Sequence, residues 1–269
     1  MNPGRANSKL RNRGSRSGIT VLELLVVIAI IVLLSAVALP AIKGLTRSNL
    51  ITSANRQLLD TIALARQRAI SERTWVHIIF VPPSVVTADF SAASPKDRKL
   101  AEHLKGGAYT SFALFAERTV GDQPGQPHYR YLSSWHTLPE GVFIADWEFN
   151  SNLGLNQWLS LADTNRPFQF AMFPFPSSTG TSNLLAHIAF DPQGRLLKYD
   201  AAQNERFDDE VISLARGSIL AARDGTGKLV DFDVRENPAG NSTNELYNRI
   251  RIDGLTGRGR IERWEGDFK

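Results

Sequence analysis

A long apolar run near the amino terminus constrains this chain more than any other feature. Between Ile19 and Ile42, 20 of 24 residues are apolar. The four exceptions are Thr20, Glu23, Ser35 and Pro40. About 20 apolar residues in a helix are enough to cross the hydrocarbon core of a bilayer, so the run predicts a transmembrane segment over residues 19–42. A carboxylate inside such a segment is costly unless it is paired, which makes Glu23 a candidate functional residue.

The residues before the apolar run are basic and include no acid. Five cations lie there, at Arg5, Lys9, Arg11, Arg13 and Arg16. This pattern predicts a cytoplasmic leader that obeys the positive-inside bias. A secretory signal has its small-residue cleavage site after the apolar region, whereas Gly18 precedes it here. A cut after Gly18 would remove residues 1–18 and create an ammonium on Ile19, four residues from Glu23 on the same helix face, where it could pair within the chain or with a neighbour.

Gly18, the sequence Ile19-Thr-Val-Leu-Glu23 and the apolar run resemble the processing signature of type IV pilins and type II secretion pseudopilins. The resemblance implies that a prepilin peptidase cleaves after Gly18 and methylates the new amine of Ile19. It implies that Glu23 guides the docking of subunits in a helical filament. It also implies that Pro40 loosens the helix, because pilin-like helices often carry a proline at this distance. The alternative is a simple signal anchor with an incidental Glu23.

Beyond Pro40 the pattern becomes amphipathic. Apolar residues recur mostly every three or four positions at Ile42, Leu45, Ile51, Ala54, Leu58, Ile62, Ala65, Ala69 and Ile70. This spacing predicts a helix with one face to bury. We therefore expect a long N-terminal helix over residues 19–73, with the second half lying against a sheet. Further on, Ser94 and Pro95 predict a short helix that runs to Leu104 and stops at Gly106.

The remaining chain is rich in strand patterns. β-branched and aromatic segments predict strands at 75–81, 109–118, 129–132, 168–173, 184–190, 195–199, 211–220, 229–234, 246–252 and 259–264. One helix followed by many antiparallel strands predicts an α+β fold, in which a long N-terminal transmembrane and amphipathic helix packs on a C-terminal antiparallel β-sheet domain. The expected domains are a leader at 1–18, the helix at 19–73 and a β-rich globular domain at 74–269.

Two later phrases give a second resemblance, to H-type minor pseudopilins and FimT-like pilins. They are Ile-Ala-Phe-Asp-Pro-Gln-Gly-Arg at 188–195 and Arg-Ile-Arg-Ile-Asp-Gly-Leu-Thr-Gly-Arg-Gly-Arg-Ile-Glu-Arg at 249–263. This resemblance implies a pilin-like globular domain. The segments 82–108 and 145–166 have no counterpart in it and are interpreted as insertions.

Composition limits the chemistry that the chain can perform. The formal charge of +4 comes from the leader, because 26 basic and 27 acidic residues remain without it. A near-neutral chain does not favour a polyanion as partner. The chain has no cysteine, which excludes disulfides, thiol catalysis and thiolate metal sites. The five histidines show no metal-ligand spacing, and no nucleophile or phosphate-loop motif occurs. We therefore expect no enzyme activity, no cofactor and no metal site.

A cluster of late arginines is the remaining candidate for binding. It comprises Arg249, Arg251, Arg258, Arg260 and Arg263. In a hairpin, Arg249 and Arg251 would share one face, as would Arg258 and Arg260. The sequence Gly257-Arg-Gly-Arg260 resembles an element with which FimT-like pilins bind DNA, but H-type pseudopilins have a similar turn without that role. DNA binding at Arg258 and Arg260 is the alternative hypothesis.

The patterns together predict a minor pilin-like subunit of a type II secretion pseudopilus or a type IV pilus-like filament. Its expected partners are a prepilin peptidase, other pilin or pseudopilin subunits, an inner-membrane assembly platform and membrane lipid, with nucleic acid disfavoured. The expected location is the bacterial inner membrane, as a single-pass protein with a cytoplasmic N-terminus before processing and a periplasmic globular domain. The alternatives are a DNA-binding minor pilin in DNA uptake and a membrane-tethered enzyme.

Overall fold

The structure is a computed structural model that describes residues 20–118, 122, 128–149, 168–199, 204–244 and 248–262, without the side chains of 36–49 and 244. The helices in these residues are α1 (Val21–Glu72), α2 (Pro95–Lys105) and the single turn α3 (Asn241–Asn244). The strands are β1 (Val76–Phe80), β2 (Ser111–Ala116), β3 (Arg130–Tyr131), β4 (His136–Thr137), β5 (Val142–Ile144), β6 (Gln169–Phe175), β7 (Thr181–Phe190), β8 (Leu196–Tyr199), β9 (Glu205–Arg206), β10 (Glu210–Arg223), β11 (Leu229–Glu236), β12 (Arg249–Ile252) and β13 (Gly259–Ile261). Short 3-10 helices lie at Pro83–Thr87 and Asp146–Phe149.

The chain divides into two compact units, residues 1–47 and 48–269. Helix α1 begins in the first unit and ends in the second. All of the described strands lie in the second unit.

The larger sheet of the second unit has eight strands in the order β3-β2-β1-β7-β8-β9, with β4 also paired to β2 and β6 also paired to β7. Its pairings are antiparallel. The central strand β1 is buried along its whole length, and β2 and β7 pair with its two edges. Its apolar and β-branched sequence, Val-His-Ile-Ile-Phe, suits a position covered on both faces.

The smaller sheet has five strands and is organised around β10. The order is β11-β10-β12-β13, and β5 also pairs with β10. Residues 210–213 of β10 pair with β12, residues 214–216 pair with β5, and residues 217–223 pair with β11. One fourteen-residue strand therefore holds three partners from different parts of the chain.

Within the second unit, the carboxyl-terminal part of α1 contributes to the core. The buried positions are Ile51, Ala54, Leu58, Ile62, Ala65 and Ala69, which match the predicted apolar stripe. Two glycines let other segments approach this part of the helix. A Cβ on Gly194 would come within 2.6 Å of Ile70 Cδ1, and one on Gly259 within 2.9 Å of Leu59 Cδ2. A larger residue at either position would displace the helix side chains.

The predicted short helix is confirmed as α2. Ser94 is its N-cap, and the Ser94 side chain accepts a hydrogen bond from the Asp97 amide at 3.1 Å. Pro95 occupies the first helical turn, where its missing N–H costs no hydrogen bond. Gly106 is the C-cap residue. This helix and the 3-10 helix at Pro83–Thr87 lie in the predicted insertion at 82–108.

The predicted fold class is wrong. The sequence predicted an α+β fold in which a long N-terminal helix packs on one antiparallel β-sheet domain, whereas the described residues are organised mainly as thirteen strands in two sheets. The other helices are short, and the part of α1 before Ser48 lies outside the unit that holds the sheets. The error arises because alternation locates strands without showing which strands pair.

The predicted membrane topology is also corrected. Among the residues described by the structure, no helix is long and apolar enough to cross a bilayer. The transmembrane segment expected at 19–42 and the single-pass inner-membrane location are therefore not supported.

Candidate functional site

The amino-terminal end of α1 is built as a capping box. Thr20 precedes the helix, and its Oγ1 accepts a hydrogen bond from the Glu23 amide at 3.2 Å. In return, Glu23 Oε2 accepts hydrogen bonds from the Thr20 amide at 2.9 Å and from Thr20 Oγ1 at 3.1 Å. A threonine followed three residues later by a glutamate is the pattern that satisfies backbone donors at a helix start. Glu23 therefore has a local structural role in the chain itself.

The same hydrogen bonds keep the Glu23 carboxylate ionised. The bond from the Thr20 backbone, followed by the bond from its side chain, lowers the pKa of Glu23 below its ordinary value, because both bonds favour the charged form. The residue is exposed. A negative charge is thus fixed beside the first turn of α1, at the positive end of the helix dipole.

Apolar side chains surround this charge on all sides of the helix. We call Val21–Leu34 the apolar segment. Its twelve large hydrophobic residues are all at least 48% exposed, namely Val21, Leu22, Leu24, Leu25, Val26, Val27, Ile28, Ile30, Ile31, Val32, Leu33 and Leu34. A contiguous apolar surface of this extent marks an interaction site, because isolated soluble domains rarely leave one uncovered.

A shallow groove on the apolar segment brings the charge and the apolar surface together. Leu22, Glu23, Val26 and Val27 line a space of about 420 Å³. These positions are one and four residues apart, so they form one side of the helix. An apolar partner that also carries a cation would complement this groove.

The other predicted residues of the processing site have different outcomes. Gly18 and Ile19 lie outside the described residues, so the predicted cleavage and methylation sites stay predictions. Pro40 lies within α1, and the helix continues through it. The side chain of Pro40 is not described, and its predicted loosening of the helix stays a prediction.

The arginine cluster divides into internal and exposed members. Arg249 is buried and donates to the Thr243 carbonyl at 2.7 Å, while Arg251 forms ion pairs with Asp209 and Glu262. Arg258 and Arg260 are exposed. Arg251 lies directly opposite Arg260 across β12 and β13. The predicted DNA contact at Arg258 and Arg260 stays a prediction, and Arg263 lies outside the described residues.

The turn that carries Arg258 has a packing role. The Gly257 amide donates to the Asp253 carbonyl at 2.8 Å, and the Thr256 amide donates to Asp253 Oδ1 at 2.7 Å. Gly257 has a φ of +63°, and a Cβ there would lie 2.1 Å from the Gly194 carbonyl oxygen. The turn is therefore pressed against the 191–194 turn, which only a glycine at 257 permits.

A second site, on the larger sheet, was not predicted from the sequence. His77 in β1 and His187 in β7 share one face of the sheet, because Ile79 pairs with His187. Their ring centroids are 5.4 Å apart, and Phe173 packs edge-on against both rings. The sequence analysis found no metal-ligand spacing among the five histidines and predicted no site from them. The sequence did contain a signal for this site, namely a histidine in the middle of each of two apolar strand segments.

A cavity of about 390 Å³ adjoins the two histidines, and we call it the histidine cavity. Its lining includes Trp75, Glu117, Gln169 and Tyr199 with the two imidazoles. Burial, together with the nearby His77, lowers the pKa of His187 to about 3, against the effect of a hydrogen bond with the Gln169 backbone. His187 is therefore uncharged at neutral pH.

A buried acid lies apart from both sites. Glu148 has no exposed surface, and its Oε1 accepts a hydrogen bond from the Ser213 amide at 2.8 Å. Burial, and then the charge of nearby Glu210, raises the pKa of Glu148 well above its ordinary value. Glu210 in turn contacts Lys198 Nζ at 2.7 Å. The sequence placed residue 148 in an insertion and gave no sign of this burial.

Within the described ranges, no group of three or more histidine or acidic side chains is arranged to hold a metal ion. No protein-family model, curated protein or solved structure matches the chain.

Proposed function

We propose that this protein is a minor pilin-like structural subunit of a type II secretion pseudopilus or a type IV pilus-like filament. In this role, a prepilin peptidase cleaves between Gly18 and Ile19, and the processed chain joins other pilin-like subunits through the start of α1. An assembly platform for such filaments is the further expected partner. The proposal combines the sequence resemblance with the exposed surface at the start of the helix.

The observation that carries the proposal is the uncovered apolar segment. Twelve large hydrophobic side chains stand exposed around one helix, and burying apolar surface of this kind is favourable by about 25 cal/mol per Å². The same segments from neighbouring subunits are the occupants that fit best, because each supplies an apolar helix of equal length. Packing them together would cover all faces of the helix, which a single flat partner would not.

Glu23 supplies the specificity of this packing. Its carboxylate is held ionised at the edge of an apolar groove, so a desolvated contact with a cation there would be strong. Processing after Gly18 would create such a cation, the ammonium of Ile19 on a neighbouring subunit. An amine and a carboxylate at fixed positions would set the axial register between helices that are otherwise uniformly apolar.

Processing is tested by the mass of the chain. Coexpression with a prepilin peptidase should shorten the protein by the 18 residues of the leader and leave Ile19, methylated, as the first residue. The substitution Gly18→Ala should be tolerated better than Gly18→Leu, because the peptidase must accommodate the residue before the cut. Intact-mass measurement on detergent-extracted protein decides the question. An uncut chain beside an active peptidase would overturn the proposal.

Docking is tested by variants that separate the charge from the capping box. Glu23→Gln keeps a side chain that can cap the helix but removes the charge, so it should greatly reduce crosslinking to other pilin-like subunits. Thr20→Ala is the matched control, because it removes the capping hydroxyl and keeps the charge. We expect Thr20→Ala to crosslink nearly as well as the unmodified chain. If Glu23→Gln crosslinks normally, Glu23 is a helix cap and not a docking residue.

A further inference from the structure

The histidine cavity has the chemistry of a binding site and takes no part in the proposed filament contact. It lies wholly in the second unit, whereas the apolar segment lies in the first. Its volume of about 390 Å³ falls in the range of pockets that hold small ligands or single side chains, roughly 300–1,000 Å³. The walls combine aromatic rings with a few polar groups, as such pockets usually do.

The polar groups of the cavity include a carboxylate and an amide oxygen that can accept hydrogen bonds from a cation. Among the lining residues that the structure describes, Glu117 is the only carboxylate, and none is a lysine or an arginine. The Glu117 side chain is 34% exposed, so a ligand can reach it. Gln169 Nε2 donates one of its two hydrogens to the Tyr199 carbonyl at 2.6 Å, and Gln169 Oε1 adds an acceptor to the lining.

The aromatic groups favour a cation. Trp75 lines the cavity with 42% of its surface exposed, and Tyr199 lines another part. A cation over the face of a tryptophan or tyrosine is attracted by the ring quadrupole. His187 is uncharged at neutral pH and does not oppose it. The described lining thus offers one partly exposed carboxylate, aromatic faces and no lysine or arginine.

We propose that the histidine cavity binds a guanidinium group, as carried by an arginine side chain of a partner peptide or by a small guanidino compound. Guanidinium is planar, always charged and rich in donors, so it can stack on Trp75 while it donates to Glu117. Glu117 Oε1 lies 3.4 Å from His77 Nε2, so the carboxylate is close to the imidazoles in the cavity. The inference stands independently of the proposed filament function.

The test compares two ligands that differ in charge and little else. N-acetylarginine amide and its neutral isostere N-acetylcitrulline amide are titrated into the purified full chain in a mild detergent, with binding followed by calorimetry. We expect arginine to bind at least about tenfold more tightly than citrulline, because a hydrogen bond to a charged group is worth more than one to a neutral group. Agmatine and a short arginine-containing peptide, compared in the same way, distinguish a small compound from a peptide as the source.

Substitutions at two lining residues test whether arginine binds in the histidine cavity. Glu117→Gln should weaken arginine binding about tenfold or more, and Trp75→Leu should weaken it more than Trp75→Phe does. Glu140→Gln, at an exposed position outside the cavity, is the matched control and should bind normally. Circular dichroism verifies that each variant is folded. Equal affinity for arginine and citrulline, unchanged affinity in folded Glu117→Gln, or zinc binding without arginine binding would each overturn the proposal.

Discussion

At the scale of single residues, Glu148 shows how a buried acid links stability to pH. The folded chain raises the pKa of Glu148, chiefly through burial and then through Glu210, so the folded state keeps this proton after the unfolded state has released it. Stability therefore falls as pH rises from the unfolded pKa toward the folded pKa, and this contribution is largest below that window. Glu148 Oε2 has no hydrogen-bond partner among the described residues, which adds to the cost of ionising the group.

We expect Glu148→Gln to stabilise the chain near pH 8 and to flatten its pH profile. The amide oxygen can still accept from the Ser213 amide, and the side chain no longer ionises beside Glu210. The gain should be about 1–3 kcal/mol, the range for relieving an unsatisfied buried polar group. Urea unfolding at several pH values between 4 and 8 measures it, with exposed Glu140→Gln as the control. A parallel shift at all pH values would mean that Glu148 does not titrate in this window.

At the scale of elements, the turn between β12 and β13 packs closely against the backbone of the 191–194 turn. Gly257 meets the Gly194 carbonyl oxygen, and Gly194 in turn lies beneath Ile70 of α1. Both glycines have positive φ, at +63° and +79°. The turn that contains Gly257 and Arg258 therefore connects the smaller sheet with the 191–194 turn and, through it, with the carboxyl-terminal part of α1. This contact explains why residue 257 is a glycine.

Two glycines with similar positive φ values allow the stability cost of backbone strain to be measured apart from the cost of a steric clash. Gly227 has a φ of +82° but open space around it, whereas Gly257 has a backbone oxygen in the way. Gly227→Ala should cost only about 1 kcal/mol from strain. Gly257→Ala should cost at least about 2 kcal/mol more, because a backbone segment must shift. Thermal unfolding compares the two variants, and equal losses would show that the 194–257 contact is loose.

Sequence patterns located the long strands and the short strands β3 and β13, but not the other short ones. Strands β1, β2, β7 and β10 lie where apolar and β-branched runs predicted them. The two- and three-residue strands β4, β5 and β9 were missed, because alternation needs more residues to become visible. β5 is held by β10, a partner distant in sequence, whereas β9 pairs with β8, the strand directly before it.

At the scale of the whole molecule, features that depend on pairing between distant segments could not be predicted from the sequence. The sequence located the buried stripe of α1 from Ile51 to Ala69 by its spacing. It did not predict the second sheet, the division after Arg47 or the histidine cavity, because each depends on which strands become neighbours. His77 and His187 are 110 positions apart and meet only because β1 pairs with β7.

Charge over the whole molecule bears on the alternative function of DNA binding. Only Arg258 and Arg260 of the described cluster are exposed, and residues 19–269 together are near neutral. We therefore expect Arg258→Ala with Arg260→Ala to leave weak binding to duplex DNA nearly unchanged. If both arginines contact phosphates, the double variant should reduce the salt dependence of the affinity by about two units of slope. Affinity measured against salt concentration, beside a circular dichroism check of the fold, decides between the two outcomes.

The three pairings of β10 also determine when during synthesis the smaller sheet can form. Its partners come from residues 142–144, 229–236 and 249–252, so β12 is the last of the three to leave the ribosome. Until then, residues 210–213 lack their neighbouring strand, and the edge they present can pair with another nascent chain. The smaller sheet forms only after residues 249–252 have been synthesised, which makes newly made chains dependent on protection from one another during that interval.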